Sequence, residues 1–253
     1  MTTIALKVEV PIACFRQSRA REYAETYPVP PPSTVYGMLL SLVGETDRYK
    51  HCGTQLAIAL LSKPEKSIVI RTFRRFKTKD IHHPKNAKPD YQELLTNIEF
   101  VVWVNMKTDK VKPTLPERLQ QAFANPASIN RFGGLCLGES RDLINTVTLL
   151  PEKYHGESLW WLITDEDGSL TLPYWVDHVG SKGTRWQCYE LQESQVWQPP
   201  DLSWTTSKDS GGRVLTKGTL EGEYHKYEPK PASKIRPRKL EPVAERKTGR
   251  DNY

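Results

Sequence analysis

No stretch of this sequence approaches the roughly 20 consecutive apolar residues that a membrane-spanning helix requires. Its first ten residues also lack a basic segment followed by an apolar run and a small-residue cleavage site. Both absences point to a soluble, cytoplasmic protein. Cysteine is scarce: the four residues Cys14, Cys52, Cys136 and Cys188 lie far apart and form no Cys-x-x-Cys pair. That spacing argues against a structural zinc site or a thioredoxin-like motif and reads as reduced thiols. Dinucleotide and Walker glycine patterns are missing, as are a nucleophile with its base, a metal-ligand cluster and an internal repeat. The adjacent carboxylates Asp165, Glu166 and Asp167 sit in a turn, where exposure to water explains them. The residues therefore point to no cofactor and no metal.

What is present is positive charge, gathered in two places. At 253 residues the chain is long enough for one large domain, or for a core with an appendage, and its formal net charge is +6. Between Arg71 and Asp90 seven cations face two carboxylates, and from Lys226 to Tyr253 nine cations face four. Each segment is thus +5, and the remainder is net acidic. Placement of this kind suggests an anionic partner.

Alternation of Ile4, Leu6, Val8 and Val10 with polar or small residues predicts a half-buried strand. Prolines at 28 and 30–32 force an extended approach to a short helix, for which Ser33 is the expected N-cap and Gly44 the stop. Gly37 interrupts that helix and implies close packing against it. Strands are expected at Leu56 to Leu61, Ser67 to Phe73 and Ile98 to Met106, and a second helix at Pro116 to Phe123. A glycine-rich loop follows from Asn130 to Arg141, then a strand from Ile144. Leu159 to Thr164 and Leu170 to Val176 read as a hairpin about Asp165–Gly168. The order approximates the βαββαβ unit, with a long connection before Ile98 as the departure. The predicted fold is α+β. A ferredoxin-like or RRM-type domain spans 1–150 with a thumb inserted at about 74–97. A β-rich extension follows at 151–224, and a basic tail without a fixed fold at 225–253.

Several segments carry candidate contacts with nucleic acid. Arg71, Arg74, Arg75, Lys77, Lys79, Lys85 and Lys88 interleave with Phe73, Phe76, His82, His83 and Tyr91, so that cations can neutralise phosphates and flat rings can stack on unpaired bases. A solvated hairpin with core aromatics is the alternative. Arg131, Gly133, Gly134, Gly138, Ser140 and Arg141 form a glycine loop able to present N–H groups to a phosphate, or simply a tight turn. Arg16 and Arg19, after the first strand, can meet the same RNA. The tryptophans after Trp160 are expected in core or interface packing, with base stacking as the alternative. His82, His83, Lys85 and Tyr91 also permit metal-free acid–base cleavage of RNA.

Three features resemble the Cas-five family of CRISPR-associated RAMP proteins: the first strand, the Pro-Val-Pro-Pro-Pro-Ser-Thr-Val-Tyr-Gly-Met-Leu run at 28–39, and the Gly-Gly-Leu-Cys-Leu-Gly-Glu-Ser run at 133–140. Ser33 and Gly37 match the family's helix motif, and Leu137, Gly138 and Ser140 its glycine loop. The Arg71 to Lys88 stretch falls where the family's thumb begins. The resemblance covers about residues 4–150. It implies a modified RNA-recognition fold whose thumb holds the 5′ handle of CRISPR RNA. The implied partners are a backbone RAMP subunit and a large subunit of a Cascade-like complex, with target DNA near the PAM as a further contact. One branch of the family cuts precursor RNA with Tyr, Lys and His, but His82, His83 and Lys85 occur in a different order.

Overall fold

The computed structural model describes residues 3–18, 20, 23–74, 77–106, 111–152, 156, 158–176 and 183–206. Arg19, Arg75 and the basic tail at 225–253 lie outside them. In chain order the strands are β1 (Ile4–Ala13), β2 (Tyr23–Ala24), β3 (Gln55–Leu60), β4 (Glu65–Arg74), β5 (Ala87–Asn105), β6 (Thr146–Leu150), β7 (Leu159–Thr164), β8 (Leu170–Val176), β9 (Thr184–Ser194) and β10 (Thr205–Thr206). Helix α1 (Pro32–Leu42) follows β2, and α2 (Leu115–Ala124) follows β5. The fold is α+β around one largely antiparallel sheet in the order β6-β1-β5-β3-β7-β9-β8, with only β2 parallel to its neighbour β5 among the described pairings.

The alternation in β1 decides where its side chains go. Ile4, Leu6, Val8 and Val10 stand opposite Val104, Val102, Phe100 and Ile98 of β5, and all eight are buried beneath the helices. Leu39 of α1 and Leu115 and Leu119 of α2 close this core and are 0% exposed. On the opposite face Val101, Trp103, Ala57, Ala59 and Trp161 form a second cluster, with the Trp103 and Trp161 rings 4.6 Å apart. The tryptophans at 161 and 175 are core residues, as their size favours.

Helix α1 begins differently from expectation. Pro31 is its N-cap, with no side-chain hydrogen bond, and Ser33 is buried inside the first turn. Three consecutive prolines fix φ near the helical value, so the helix starts earlier and needs no hydroxyl cap. The Ser33 carbonyl accepts from Arg48 Nη2 at 2.9 Å, and the Arg48 guanidinium lies over both the Tyr36 and Trp175 rings, 5.2 and 5.1 Å from their centres. A Cβ on Gly37 would lie 3.3 Å from Arg48 Nη1, so a larger residue there requires the guanidinium to shift by a few tenths of an ångström. The expected stop is present: Gly44 has φ +64°. Helix α2 starts with a capping box between Thr114 and Glu117.

Two pairings correct the expected topology. Residues 165–168 do form a turn, but β7 and β8 do not pair across it; both pair with β9, which lies between them. The connection before Ile98 is no structureless insertion. Strand β5 begins at Ala87 and runs to Asn105, pairing with β4 through residues 87–96 and with β3 through residues 100–105. Asn97 has φ +54°, a value asparagine tolerates, and marks the point where the partner changes. β4 and the first half of β5 thus form a long hairpin projecting beyond the core.

Candidate nucleic-acid interface

The hairpin mixes cations with exposed apolar side chains: Ile68, Val69, Ile70 and Phe73 of β4 and Tyr91 of β5 all face water. Residues opposite each other in an antiparallel pair share a face. Val69, Arg71 and Phe73 therefore lie with Gln92, Asp90 and Lys88, while Ile68 and Ile70 lie with Glu93 and Tyr91 on the other side.

The face bearing Arg71 borders a cleft of about 460 Å³. Three segments remote in sequence line it: Arg16 from the turn after β1; Arg71, Phe73, Lys88 and Asp90 from the hairpin; and Glu139, Ser140 and Arg141 from the glycine loop. Four cations thus face two carboxylates. Arg71 pairs with Asp90 at 2.8 Å, and its guanidinium lies 5.3 Å from the Phe73 ring centre. Arg141 pairs with Glu139 at 2.7 Å and donates to the amide oxygen of buried Gln92. These bonds hold both guanidinium groups in place and leave Ser140 and Lys88 exposed. A cationic, water-accessible trough with an aromatic edge can neutralise phosphates and stack on a ring.

The glycine loop works in a different way from an open anion nest. Asp142 is only 4% exposed, and its Oδ2 accepts the N–H groups of Cys14 at 2.9 Å and of Glu139 at 2.8 Å. An internal carboxylate thus occupies the position an anion would take. Burial raises the Asp142 pKa, while those N–H groups oppose the rise. Gly138 has φ +107°, and a Cβ there would lie 2.8 Å from both Asp142 Oδ2 and the Cys14 carbonyl oxygen. The glycine allows the loop to close on β1.

The expected contacts divide into three groups. Arg16, Arg71, Lys88, Ser140 and Arg141 converge on the cleft. Arg74, Lys77, Lys79, His82, His83 and Lys85 occupy the outer part of the hairpin; His83 is half-buried and the other five are exposed. The Lys85 N–H donates to His83 Nδ1 at 3.1 Å, so one nitrogen of that imidazole is already engaged in the turn. Arg131, at the far end of the glycine loop, borders a different depression with Gly37, Gly44 and Phe132, and Gly133 and Gly134 are exposed beside it.

Sequence reasoning missed the buried polar residues that assemble this surface. Asn86, 2% exposed, accepts from the N–H groups of Lys77 and Thr78 at 2.8 and 3.1 Å, and donates to the Asp80 carbonyl at 2.6 Å. Glu93, 9% exposed, accepts from Thr26 N–H at 3.0 Å and Lys66 Nζ at 3.1 Å, joining the strand after the first turn to the hairpin base. The partners of Glu93 and Gln92 are distant in sequence and leave no local pattern. For Asn86 a local signal existed: asparagine between Pro84 and Pro89 in a turn-rich stretch.

Among the described residues no helix is long and apolar enough to cross a membrane, and no group of three His, Cys, Asp or Glu residues is placed to hold a metal ion.

The protein-family model "CRISPR-associated protein (Cas_Cas5)" matches residues 3–213. The chain is 44% identical over 193 residues to "CRISPR-associated protein Cas5" of Myxococcus xanthus (strain DK1622), covering 75% of this chain and 90% of that protein. Its fold is similar to a chain of a structure described as "CRISPR RNA-guided surveillance complex", with a TM-score of 0.56 at 13% identity over 79% of this chain and 92% of the other. A weaker likeness is to "Crystal structure of Cas protein", with a TM-score of 0.47 at 15% identity over 76% and 94% of the two chains. The family match over most of the described chain and the 44% identical relative agree, and the chain belongs to the Cas5 family of CRISPR-associated proteins.

Proposed function

We propose that this protein binds the 5′ handle of a CRISPR RNA and caps one end of a multisubunit, RNA-guided DNA-targeting complex without cutting RNA itself. The observation that carries the reading is the convergence of Arg16, Arg71, Lys88 and Arg141 on one trough. Family membership supports a CRISPR RNA as the ligand, and the cationic lining of the cleft supports phosphate contact. In this reading β1-α1-β3-β5-α2-β6 is the ferredoxin-like, RRM-type unit, since β6-β1-β5-β3 are contiguous and antiparallel. The β4–β5 hairpin is its thumb, extending the trough with Lys77, Lys79, His82 and Lys85. A backbone RAMP subunit and a large subunit adjoin it in the complex, with target DNA near the PAM. Sequence-specific targeting falls to guide pairing, and this chain holds the RNA backbone.

The reading is tested with the full chain and the 5′ handle of its cognate repeat. Replacing Arg16, Arg71, Lys88 and Arg141 together by Gln should weaken binding by more than tenfold. It should also flatten the dependence of log affinity on log salt, by about 0.7 for each lost phosphate contact on a single strand. Unchanged affinity and slope in a folded variant would overturn the assignment. The same RNA, with its repeat intact and no metal added, should remain uncut. Specific cleavage abolished by His82→Ala or His83→Ala would instead make the protein a processing ribonuclease.

A further inference from the structure

Among the described strands longer than two residues, β4, β6 and β8 have a neighbour on one side only. An open edge presents unpaired N–H and C=O groups, and proteins normally blunt it with charge, proline or a bulge. Strand β4 carries Lys66, Arg71 and Arg74. Strand β8 has Pro173 at its centre and loses register beside it. Strand β6 has neither device: the run from Thr146 to Leu150 is uncharged, of ordinary length, and pairs with β1 in unbroken register. Alongside it lies an apolar groove of about 240 Å³ that shares no lining residue with the cationic trough. We propose that the β6 edge and this groove are a docking site for an extended segment of another protein subunit, which joins the sheet as a further strand. The proposal rests on the reading of this chain as part of a multisubunit complex and locates on it a contact with protein, separate from the RNA trough.

Backbone and side chains ask for the same occupant. In a strand paired on one side, alternate residues turn both backbone groups outward. An added strand satisfies donors and acceptors together, whereas a phosphate backbone offers the carbonyls no donor. Val147 and Leu149 stand opposite Val8 and Leu6, so their side chains lie on the helix side of the sheet. Val147 borders the groove, whose other apolar walls are Leu42, Phe123, Ile129, Leu135 and Ile144, all half-buried. An apolar side chain of the incoming strand, on the same side as Val147, would cover them. Arg131 stands exposed at the rim with no carboxylate partner among the described residues, and Phe132 beside it is fully exposed. A carboxylate of the incoming segment therefore has a cation to meet. A second copy of this chain is a poor occupant: its own β6 brings no carboxylate, and two chains of formal charge +6 repel each other. The segment is thus extended, apolar at alternate positions and acidic.

The test uses the complex reconstituted from this chain, its guide RNA and the protein subunits encoded with it. Amide exchange across residues 146–150 should be at least about tenfold slower in the complex than in the chain alone, as expected when open backbone groups become paired. A photoreactive benzoylphenylalanine in place of Thr146, which is exposed at the groove, should cross-link to a protein segment with alternating apolar residues and a carboxylate. Val147→Glu should bind handle RNA as the wild type does, because it lies outside the trough, yet enter the complex at least about tenfold less well. The cross-link serves if that variant does not fold. Three results would each overturn the docking site alone: unchanged exchange at β6 in a complex that contains the chain, a cross-link to RNA or to a second copy, or a folded Val147→Glu chain that assembles like the wild type. A wild-type chain that binds none of the subunits in the presence of RNA overturns the complex reading and, with it, this one.

Discussion

Asp142 and Cys14 are 128 residues apart in the chain, and the Asp142 carboxylate accepts the Cys14 N–H at 2.9 Å. The same oxygen accepts the Glu139 N–H, so one buried side chain ties the glycine loop to the end of β1. Asp142→Ala would leave two N–H groups without their acceptor, one of them in a buried residue. Each such loss costs about 1–3 kcal/mol. The variant should therefore be about 2–4 kcal/mol less stable in urea denaturation. Asp142→Asn keeps an oxygen able to accept both bonds and should recover most of the difference. Equal stability of the Ala variant and the wild type would show that the loop is held by other contacts.

A second clamp joins the end of α1 to α2 and has a pH signature. Arg118 Nη1 contacts Glu45 at 2.5 Å and His51 Nε2 at 2.9 Å, while Nη2 donates to the Val43 carbonyl at 3.0 Å. Burial pushes the Glu45 pKa upward, but hydrogen bonds from Lys50 and Arg118 outweigh it and hold the group at about 2, below its ordinary 4.5. A carboxyl depressed in the folded state stabilises that state above its unfolded pKa, and the benefit disappears as pH falls through the folded value. The window is therefore about pH 4.5 down to 2. At neutral pH the contribution is roughly 2–3 kcal/mol, given the small exposure of the side chain. The stability gap between the wild type and Glu45→Gln should be largest near pH 7 and should close across that window. A gap that stays constant down to pH 2.5 would assign the loss to packing instead of charge.

What could be read from the sequence follows the range over which each signal acts. The alternation in β1 and the apolar spacing of α1 and α2 are local consequences of burial, and both elements and their inward faces were legible. The cationic segment was legible as composition. Its conformation was not, because residues 87–91 are mostly exposed and the buried positions that follow, Gln92, Glu93 and Leu95, show no alternation of apolar residues to mark β5. The β7–β9–β8 order was hidden for a related reason: a turn at Asp165–Gly168 looks the same whether its flanking strands pair with each other or both with a third. At the candidate site, Arg16, Arg71, Lys88, Ser140 and Arg141 were found by type and motif. Gln92, Glu93 and Asp142, which set how those segments meet, were not found. A buried polar residue is explained only by partners, and each of these three has one at least 49 positions away.

Asn86 offers a way to separate order in the hairpin tip from stability of the whole. Its amide accepts two backbone N–H groups and donates to the Asp80 carbonyl and Thr78 Oγ1, so it spans the turn from Lys77 to Asp80. The strand leading to it is mostly exposed and adds little to the core. Asn86→Ala should therefore speed amide exchange at Lys77 and Thr78 by at least about tenfold, as expected when a local structural unit opens without global unfolding. The urea midpoint should correspond to a change under about 1 kcal/mol. If the exposed lysines around the tip hold RNA in a fixed arrangement, their loss of order adds an entropic cost to binding, and handle affinity should fall about tenfold with the salt slope retained, because every cation is still present. Unaltered exchange at the tip would show that the strand pairing alone orders it. A reduced salt slope would mean that the substitution removes phosphate contacts outright, and that Asn86 positions the lysines instead of merely restricting their motion.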